Sequence, residues 1–287
     1  MYNINVNNDK KLTKLIQKLN IEATEDTSSG KYSHVEKLYS HSSSYILKRN
    51  DKMFPILGEV EFLEKSPISP KLIDFSVNNN WILMEFIEGK TYDRNDSGIP
   101  LEYFTQLGKA ISKLHNIHNS KYKIYCQNPM GGIHDSYKEL LRDLIIKDLS
   151  EPKFLDFLNL STADINKILD ALKKLQPSKP TLTHGDLHPS NTIVNSEGLF
   201  LIDPSSERFM DFRWDYAMLK WQIRNNKNYQ KYIEAFKISY GKGLDDSSKD
   251  QVLADLLVAL TLEESNYNSK GKSPWAENHI RSLLNRI

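Results

Sequence analysis

The sequence has almost no cysteine, no excess of either charge and no long apolar run, and each shortage removes a class of protein. One cysteine, Cys126, stands among 287 residues, so no internal disulfide forms and no Cys/His cluster has the spacing of a structural zinc site. A reducing compartment fits, and the chain is read as cytoplasmic. Lysine and arginine number 38 against 37 acidic residues, a net charge of +1, which gives no global field to draw in nucleic acid or an anionic membrane surface. The longest apolar stretch, Leu256 to Leu262, is too short to cross a bilayer, and Met1 to Lys11 is polar and Asn-rich rather than a signal segment. Neither nucleic acid nor membrane is an expected partner. What is present, 39% hydrophobic, 26% charged and 10% aromatic residues, suits a globular chain with room for a buried core and a cleft.

Hydrophobic periodicity divides the chain in two. Leu12, Leu15, Ile16 and Leu19 recur at helical spacing behind a cap at Asn8 or Asp9. Residues 31 to 49 read as antiparallel strands around the Ser-rich turn His41 to Ser44, a helix follows near Pro55 to Lys65, and Leu72 to Phe75 and Trp81 to Ile87 form strand, turn, strand. After Gly89 helical stripes dominate: Phe104, Leu107, Ile111, Leu114, then Tyr137, Leu140, Leu141, Leu144, Ile145. Ser161 and Asp164 have capping-box spacing before the next helix. Three short β-like runs, 181–183, 192–194 and 199–202, precede three or four helices from Arg213 onward. The expectation is an α+β chain: a small β-rich lobe over residues 1–87 and a larger, mostly helical lobe over 88–287.

The chemistry concentrates in His184-Gly185-Asp186-Leu187-His188-Pro189-Ser190-Asn191 and, twelve residues beyond Asn191, in Ile202-Asp203-Pro204. Phosphoryl transfer from ATP needs Mg²⁺ on oxygen ligands and a carboxylate beside the attacking hydroxyl, and these two loops supply both. Their spacing resembles the catalytic and metal loops of the aminoglycoside phosphotransferase and choline kinase group, small-molecule kinases of the protein-kinase-like fold. The resemblance runs from about residue 28 to 221 and is strongest over 184–217, where Asp211 to Ala217 also follows the family pattern.

The resemblance implies a bilobal protein-kinase-like fold, with a small antiparallel N-lobe and a mostly helical C-lobe binding ATP and Mg²⁺ between them. Asp186 would be the catalytic base, Asn191 and Asp203 the metal ligands, and His184 and Asp215 structural supports. Lys48 would bind the ATP phosphates, with Glu59 as its partner and Glu61 as the alternative. The Glu85 carbonyl and Ile87 amide would bond adenine at the hinge. Gly30 and Ser33 fall in the stretch corresponding to the phosphate-covering loop, which here has one glycine rather than several.

Only eleven residues separate Asp203 from Asp215, and no Ala-Pro-Glu segment follows; a protein kinase uses a longer segment there to dock a peptide. The expected acceptor is therefore a small-molecule hydroxyl: aminoglycoside, sugar, amino sugar, or choline or another amino alcohol. An aromatic cage for choline would draw on Trp214, Tyr216, Trp221 and Trp275, but their helical spacing favours core packing. His188 reads as a loop-packing residue. The competing readings are a silent nucleotide sensor, a protein kinase, and a hydrolase with metal on His184, Asp186 and His188.

Overall fold

The computed structural model describes residues 9–29, 33–51, 56–125, 132–141, 152–205, 207–241, 243–267 and 276–287. Helix α1 (Lys10–Lys18) starts where the Asp9 carboxylate accepts the Lys11 and Leu12 amides. The same carboxylate accepts from Asn79 and the Trp81 indole, so one cap also pins the helix to the sheet. Strands β1 (Ile21–Ser29), β2 (Ser33–Ser40), β3 (Ser44–Asn50), β4 (Leu72–Ser76) and β5 (Trp81–Glu85) form an antiparallel sheet in the order β1-β2-β3-β5-β4.

Period-two alternation decides which side chain faces which helix. Leu47, Trp81 and Leu83 bury against Leu12 of α1, while Ile46, Ile82 and Met84 meet Ile56, Val60 and Leu63 along α2 (Leu57–Lys65) on the opposite face. Lys48 shares the face of Ile46 and is thereby aimed at α2. Strand β1 was not expected: Ile21-Glu22-Ala23-Thr24-Glu25-Asp26 carries few apolar residues, and its pairing with β2 rather than its own pattern makes it a strand.

Past β5 the chain becomes helical, with α3 (Leu101–Leu114), α4 (Pro152–Leu158) and α5 (Thr162–Lys174). Ser161 and Asp164 form the reciprocal capping box at the start of α5. Residues 137–141 are helical, whereas Leu144 and Ile145 lie outside the described residues. Four helices follow: α6 (Arg213–Ile223), α7 (Tyr229–Tyr240), α8 (Lys249–Tyr267) and α9 (Ala276–Leu284). Helix α8 buries Val252, Leu253, Leu256, Leu257 and Leu260 on several faces, because its middle turns form the centre of this half. Trp214, Tyr216 and Trp221 are buried, as core packing requires, while Trp275 lies outside the described residues.

Two small sheets support the site. Strands β9 (Thr192–Asn195) and β10 (Gly198–Leu201) make a hairpin, and β6 (Tyr122–Ile124), β7 (Gly132–His134), β8 (Thr181–Leu182) and β11 (Glu207–Met210) join as β7-β6-β11-β8. Sequence alternation missed β6, β7 and β11, which have three or four residues each and exist through their pairings.

Helices α3 and α7 cross at Gly108. A Cβ there would lie 2.1 Å from Ser239 Oγ and 2.5 Å from the Phe236 carbonyl oxygen. Nearby, Phe104 and Tyr232 stack with centroids 4.1 Å apart. Alanine would gain about 1 kcal/mol of helix propensity but lose about 1–3 kcal/mol to overpacking against backbone that cannot retreat. Gly108→Ala is therefore expected to lower the urea unfolding midpoint; an unchanged or higher midpoint would show that the crossing is looser than described.

Candidate active site

The loop between β8 and β9 carries Asp186 and is held from beneath. Gly185 sits at φ +80°, a left-handed conformation that only glycine adopts cheaply, and this turns the chain so that two successive amides face one carboxylate. The His184 amide donates to Asp215 Oδ2 at 2.8 Å and the Gly185 amide to Oδ1 at 2.7 Å. Asp215, in the first turn of α6, is fully buried. His115, which caps α3, bonds Asp215 Oδ2 through Nε2 at 3.1 Å and the Tyr240 hydroxyl through Nδ1 at 2.8 Å. The crossing of α3 and α7 at Gly108 is thus tied to the loop that carries Asp186 through His115, Tyr240 and Asp215.

Above this support the Asp186 carboxylate is partly exposed. Asn191 Nδ2 donates to Oδ2 at 3.1 Å and to the Asp186 carbonyl at 3.0 Å, His188 Nε2 lies 3.5 Å from Oδ2, and Gln222 Nε2 donates to Oδ1 at 3.0 Å. His188 faces the carboxylate instead of only packing the loop. His184 is buried, with Nε2 against the Ile202 carbonyl at 2.9 Å and its ring edge-on to Phe62, as a loop support would be.

The β9–β10 hairpin brings the second loop alongside. Thr192 pairs with Leu201, and the Ile202 amide donates to the Asn191 carbonyl at 3.0 Å, so Asn191 and Asp203 leave the same end of the hairpin. Asp203 has φ +54°; the other non-glycine described residues with positive φ are all asparagines. An aspartate held there carries a strain on the order of 1 kcal/mol, which the surrounding loop sustains. Its carboxylate meets Lys48 Nζ, which also bonds Glu59 Oε2 at 2.8 Å. Lys48 and Glu59 are buried while Asp203 is 62% exposed. Glu61, two residues on, points elsewhere and binds Lys123 and the Tyr125 hydroxyl at 2.8 Å.

The chain leaves β5 at Glu85, whose amide bonds the Lys71 carbonyl, and the Phe86 amide bonds the Ser44 carbonyl. Beyond Ile87, Lys90 and Val194 exchange two 2.9 Å backbone bonds, which fastens this crossover to the hairpin bearing Asn191 and Asp203. Ser33 opens β2 and pairs with Asn50, two positions from the Val35–Lys48 pair. Gly30 lies outside the described residues.

Sequence reasoning missed Gln222 and the residue that orients it. Gln222 is at the end of α6, and its amide oxygen accepts from Arg94 Nη1, so the nitrogen is left for Asp186. No motif spacing links positions 94, 186 and 222. The role of His115 was equally invisible, since a histidine ending an apolar helix carries no sequence signal of its own.

Residues 40–250 match the sequence profile described as the phosphotransferase enzyme family. The chain belongs to that family. This phosphotransferase is accordingly an enzyme of the small-molecule kinase type, with an antiparallel N-terminal sheet and a helical C-terminal part. It is similar in fold to aminoglycoside phosphotransferase APH(4)-Ia, at TM-score 0.67 and 14% identity over 96% of this chain and 98% of the other. It also resembles choline kinase LicA from Streptococcus pneumoniae, at TM-score 0.60 and 16% identity over 96% and 97% of the two chains. Spectinomycin phosphotransferase APH(9)-Ia, solved with ADP and spectinomycin, superposes at TM-score 0.55 and 18% identity over 96% of each chain. APH(4)-Ia has itself been solved with ADP and hygromycin B. No curated relative matches the sequence at a significant level. No described helix of the phosphotransferase is long and apolar enough to cross a membrane.

Electrostatics in this phosphotransferase keep each group charged. Burial would push the Lys48 ammonium down, but the Glu59 and Asp203 carboxylates outweigh it and hold Lys48 above its ordinary value. Burial likewise opposes ionisation of Asp186, and hydrogen bonds from His188 and Gln222 with the nearby positive potential of His188 and His184 hold it low. Asp215 follows the same logic, with burial overcome by His115, His184 and the backbone amide.

Asp215→Ala would leave two buried amides and His115 without that acceptor, at a cost of roughly 3–5 kcal/mol in urea unfolding at neutral pH. Because the folded pKa of Asp215 is depressed, its contribution is complete above the unfolded carboxylate value and lost as pH falls through the folded one. The gap between wild type and variant should hold from pH 8 to 5 and narrow below about pH 4. A gap that widens in acid would contradict the assignment.

Proposed function

We propose that the protein transfers the γ-phosphoryl group of ATP to a hydroxyl of a small molecule, with Mg²⁺, in a cleft between an N-terminal lobe (residues 1–87) and a C-terminal lobe (88–287). The observation that carries this reading is the convergence, from four separate segments, of Lys48 with Glu59 and Asp203 and of Asp186 with Asn191.

Lys48 is the cation for the α and β phosphates, kept straight by Glu59, whose carboxylate it retains in a buried pair. The hinge supplies the Glu85 carbonyl and Ile87 amide to adenine, and Gly30 and Ser33 belong to the stretch that covers the phosphates. Asn191 and Asp203 fit a hard cation. Asn191 spends its amide nitrogen on Asp186, which leaves the amide oxygen as a ligand atom, and Asp203 adds an exposed carboxylate from the same end of the hairpin. Bound there, the cation supplies charge neutralisation at the phosphate oxygens.

Asp186 accepts a hydrogen bond from the acceptor hydroxyl and orients it. Its lowered pKa makes it a weak proton acceptor, which suits a transfer whose transition state asks for alignment more than early deprotonation. Gln222 and Asn191, one on each carboxylate oxygen, restrict rotation of the group. The stretch after Asp203 supports a small acceptor over a peptide: β11 pairs with β6 and β8 and takes up the length a peptide-docking segment would need.

The test is ATP consumption with Mg²⁺ across aminoglycosides, choline, amino alcohols, sugars and nucleosides. Asp186→Asn should lower acceptor-dependent kcat by about 10²–10⁴-fold with ATP binding intact, whereas Lys48→Met should weaken ATP binding itself. Full turnover in Asp186→Asn, or failure of the unaltered protein to bind Mg-ATP, would refute the proposal.

A further inference from the structure

The surface beside Asp186 is cationic, which neither the catalytic loop nor the family demands. A hollow of about 250 Å³ opens next to the Asp186 partner Gln222, lined by Arg94, Asn95, Trp221, Arg224, Asn225 and Leu262. Among the described residues, no acidic side chain lines it. Arg94 is exposed and gives one of its five N–H donors to the Gln222 oxygen; among the described residues no carboxylate pairs with it. Arg224 lies with its guanidinium 4.5 Å from the Trp221 ring centroid and bonds the Trp221 carbonyl.

The two guanidiniums are close enough to repel. Burial and then Arg94 push Arg224 down to about 10 against the counter-charge of Glu263, which is buried in α8. Glu263 is the counter-charge acting on Arg224, whereas among the described residues no carboxylate pairs with Arg94, so positive charge faces the hollow. The adjoining cavity, about 510 Å³, shares Trp221, Arg224 and Asn225 with it and contains Asp246 and Asp255. Those acids are already committed: Asp246 to Lys220 at 2.9 Å and Lys237 at 2.8 Å, and Asp255 to Lys220 at 2.6 Å.

Arginine forks match carboxylate and phosphate oxygens in pairs, and a guanidinium stacked on an indole is already oriented. An ammonium-rich acceptor would instead meet two guanidiniums in this hollow, with no carboxylate among its described lining residues. We infer that the acceptor carries an anionic group, carboxylate or phosphate, which Arg94 and Arg224 hold while its hydroxyl is presented to Asp186. This rests on the phosphotransferase reading above and names its substrate class.

Four hexose probes on one ring scaffold separate the possibilities: glucuronate, glucose 6-phosphate, glucose and glucosamine. Each is titrated into the protein saturated with Mg²⁺ and a non-hydrolysable ATP analogue, whose own binding is measured first. One or both anionic sugars should bind at least about tenfold tighter than glucose, the worth of one or two charge-assisted hydrogen bonds, with glucosamine weakest. Which of the two leads distinguishes a carboxylate from a phosphate. Arg94→Gln and Arg224→Gln should each remove most of that advantage without altering nucleotide affinity. Arg94 is exposed, so its variant remains folded even where the half-buried Arg224 does not tolerate change. Tightest binding by glucosamine, equal binding of all four including none by any, or an anionic preference that survives Arg94→Gln would overturn the inference. A protein that fails to bind the nucleotide fails the phosphotransferase reading instead, and that result is read before any sugar is added.

Discussion

A single buried carboxylate organises the loop that carries Asp186 and the helices around it. Asp215 accepts the amides of His184 and Gly185 and a ring nitrogen of His115, and it is fully removed from solvent. A buried charge is costly unless several donors face it, and here they come from the loop and from the end of α3. The result is mechanical. The loop cannot rotate away without stranding that charge, so Asp186, one residue beyond Gly185, has its direction set by groups that never touch a substrate. Tyr240 at the end of α7 extends the same chain of bonds through His115, which is why the tight crossing of α3 and α7 bears on the geometry of the site.

The second constraint is charge balance across the cleft. Lys48 lies between one buried and one exposed carboxylate, and these two differ in what they can do. Glu59 is enclosed and fixes the ammonium. Asp203 is largely in solvent and strained at positive φ, so its bond to Lys48 is the more easily exchanged of the two. On the far side of Asp186 the sign reverses, with Arg94 and Arg224 beyond Gln222. Charge thus alternates along this face, from Lys48 between two carboxylates, through Asp186, to the Arg94 and Arg224 guanidiniums.

Much of this was legible in the sequence. The loop 184–191 and Asp203 stand out because phosphoryl transfer needs oxygen ligands and a carboxylate at close spacing, and the two-part fold follows from the change from strand to helix patterning near Gly89. The sequence preferred Glu59 over Glu61, and the structure shows why only one can serve: Lys48 bonds Glu59, while Glu61 on the same helix binds Lys123 and Tyr125. Strand β1 escaped because its residues are polar and its pairing with β2 is the cause of its conformation. Gln222 and Arg94 escaped for a different reason: their contact spans 128 residues and involves side chains common on any surface. Local periodicity reports faces and caps, and it is silent on which polar groups the folded chain places together.

The most direct test of the anchoring carboxylate is amide hydrogen exchange at His184 and Gly185 in the unaltered protein. Both residues lie in a loop, where backbone amides ordinarily exchange fast. If Asp215 holds them, they exchange as slowly as the buried core of α6 and α8. Rapid exchange at these two amides while the helices stay protected would contradict the account, since Asp186 would then stand on a loop free to move.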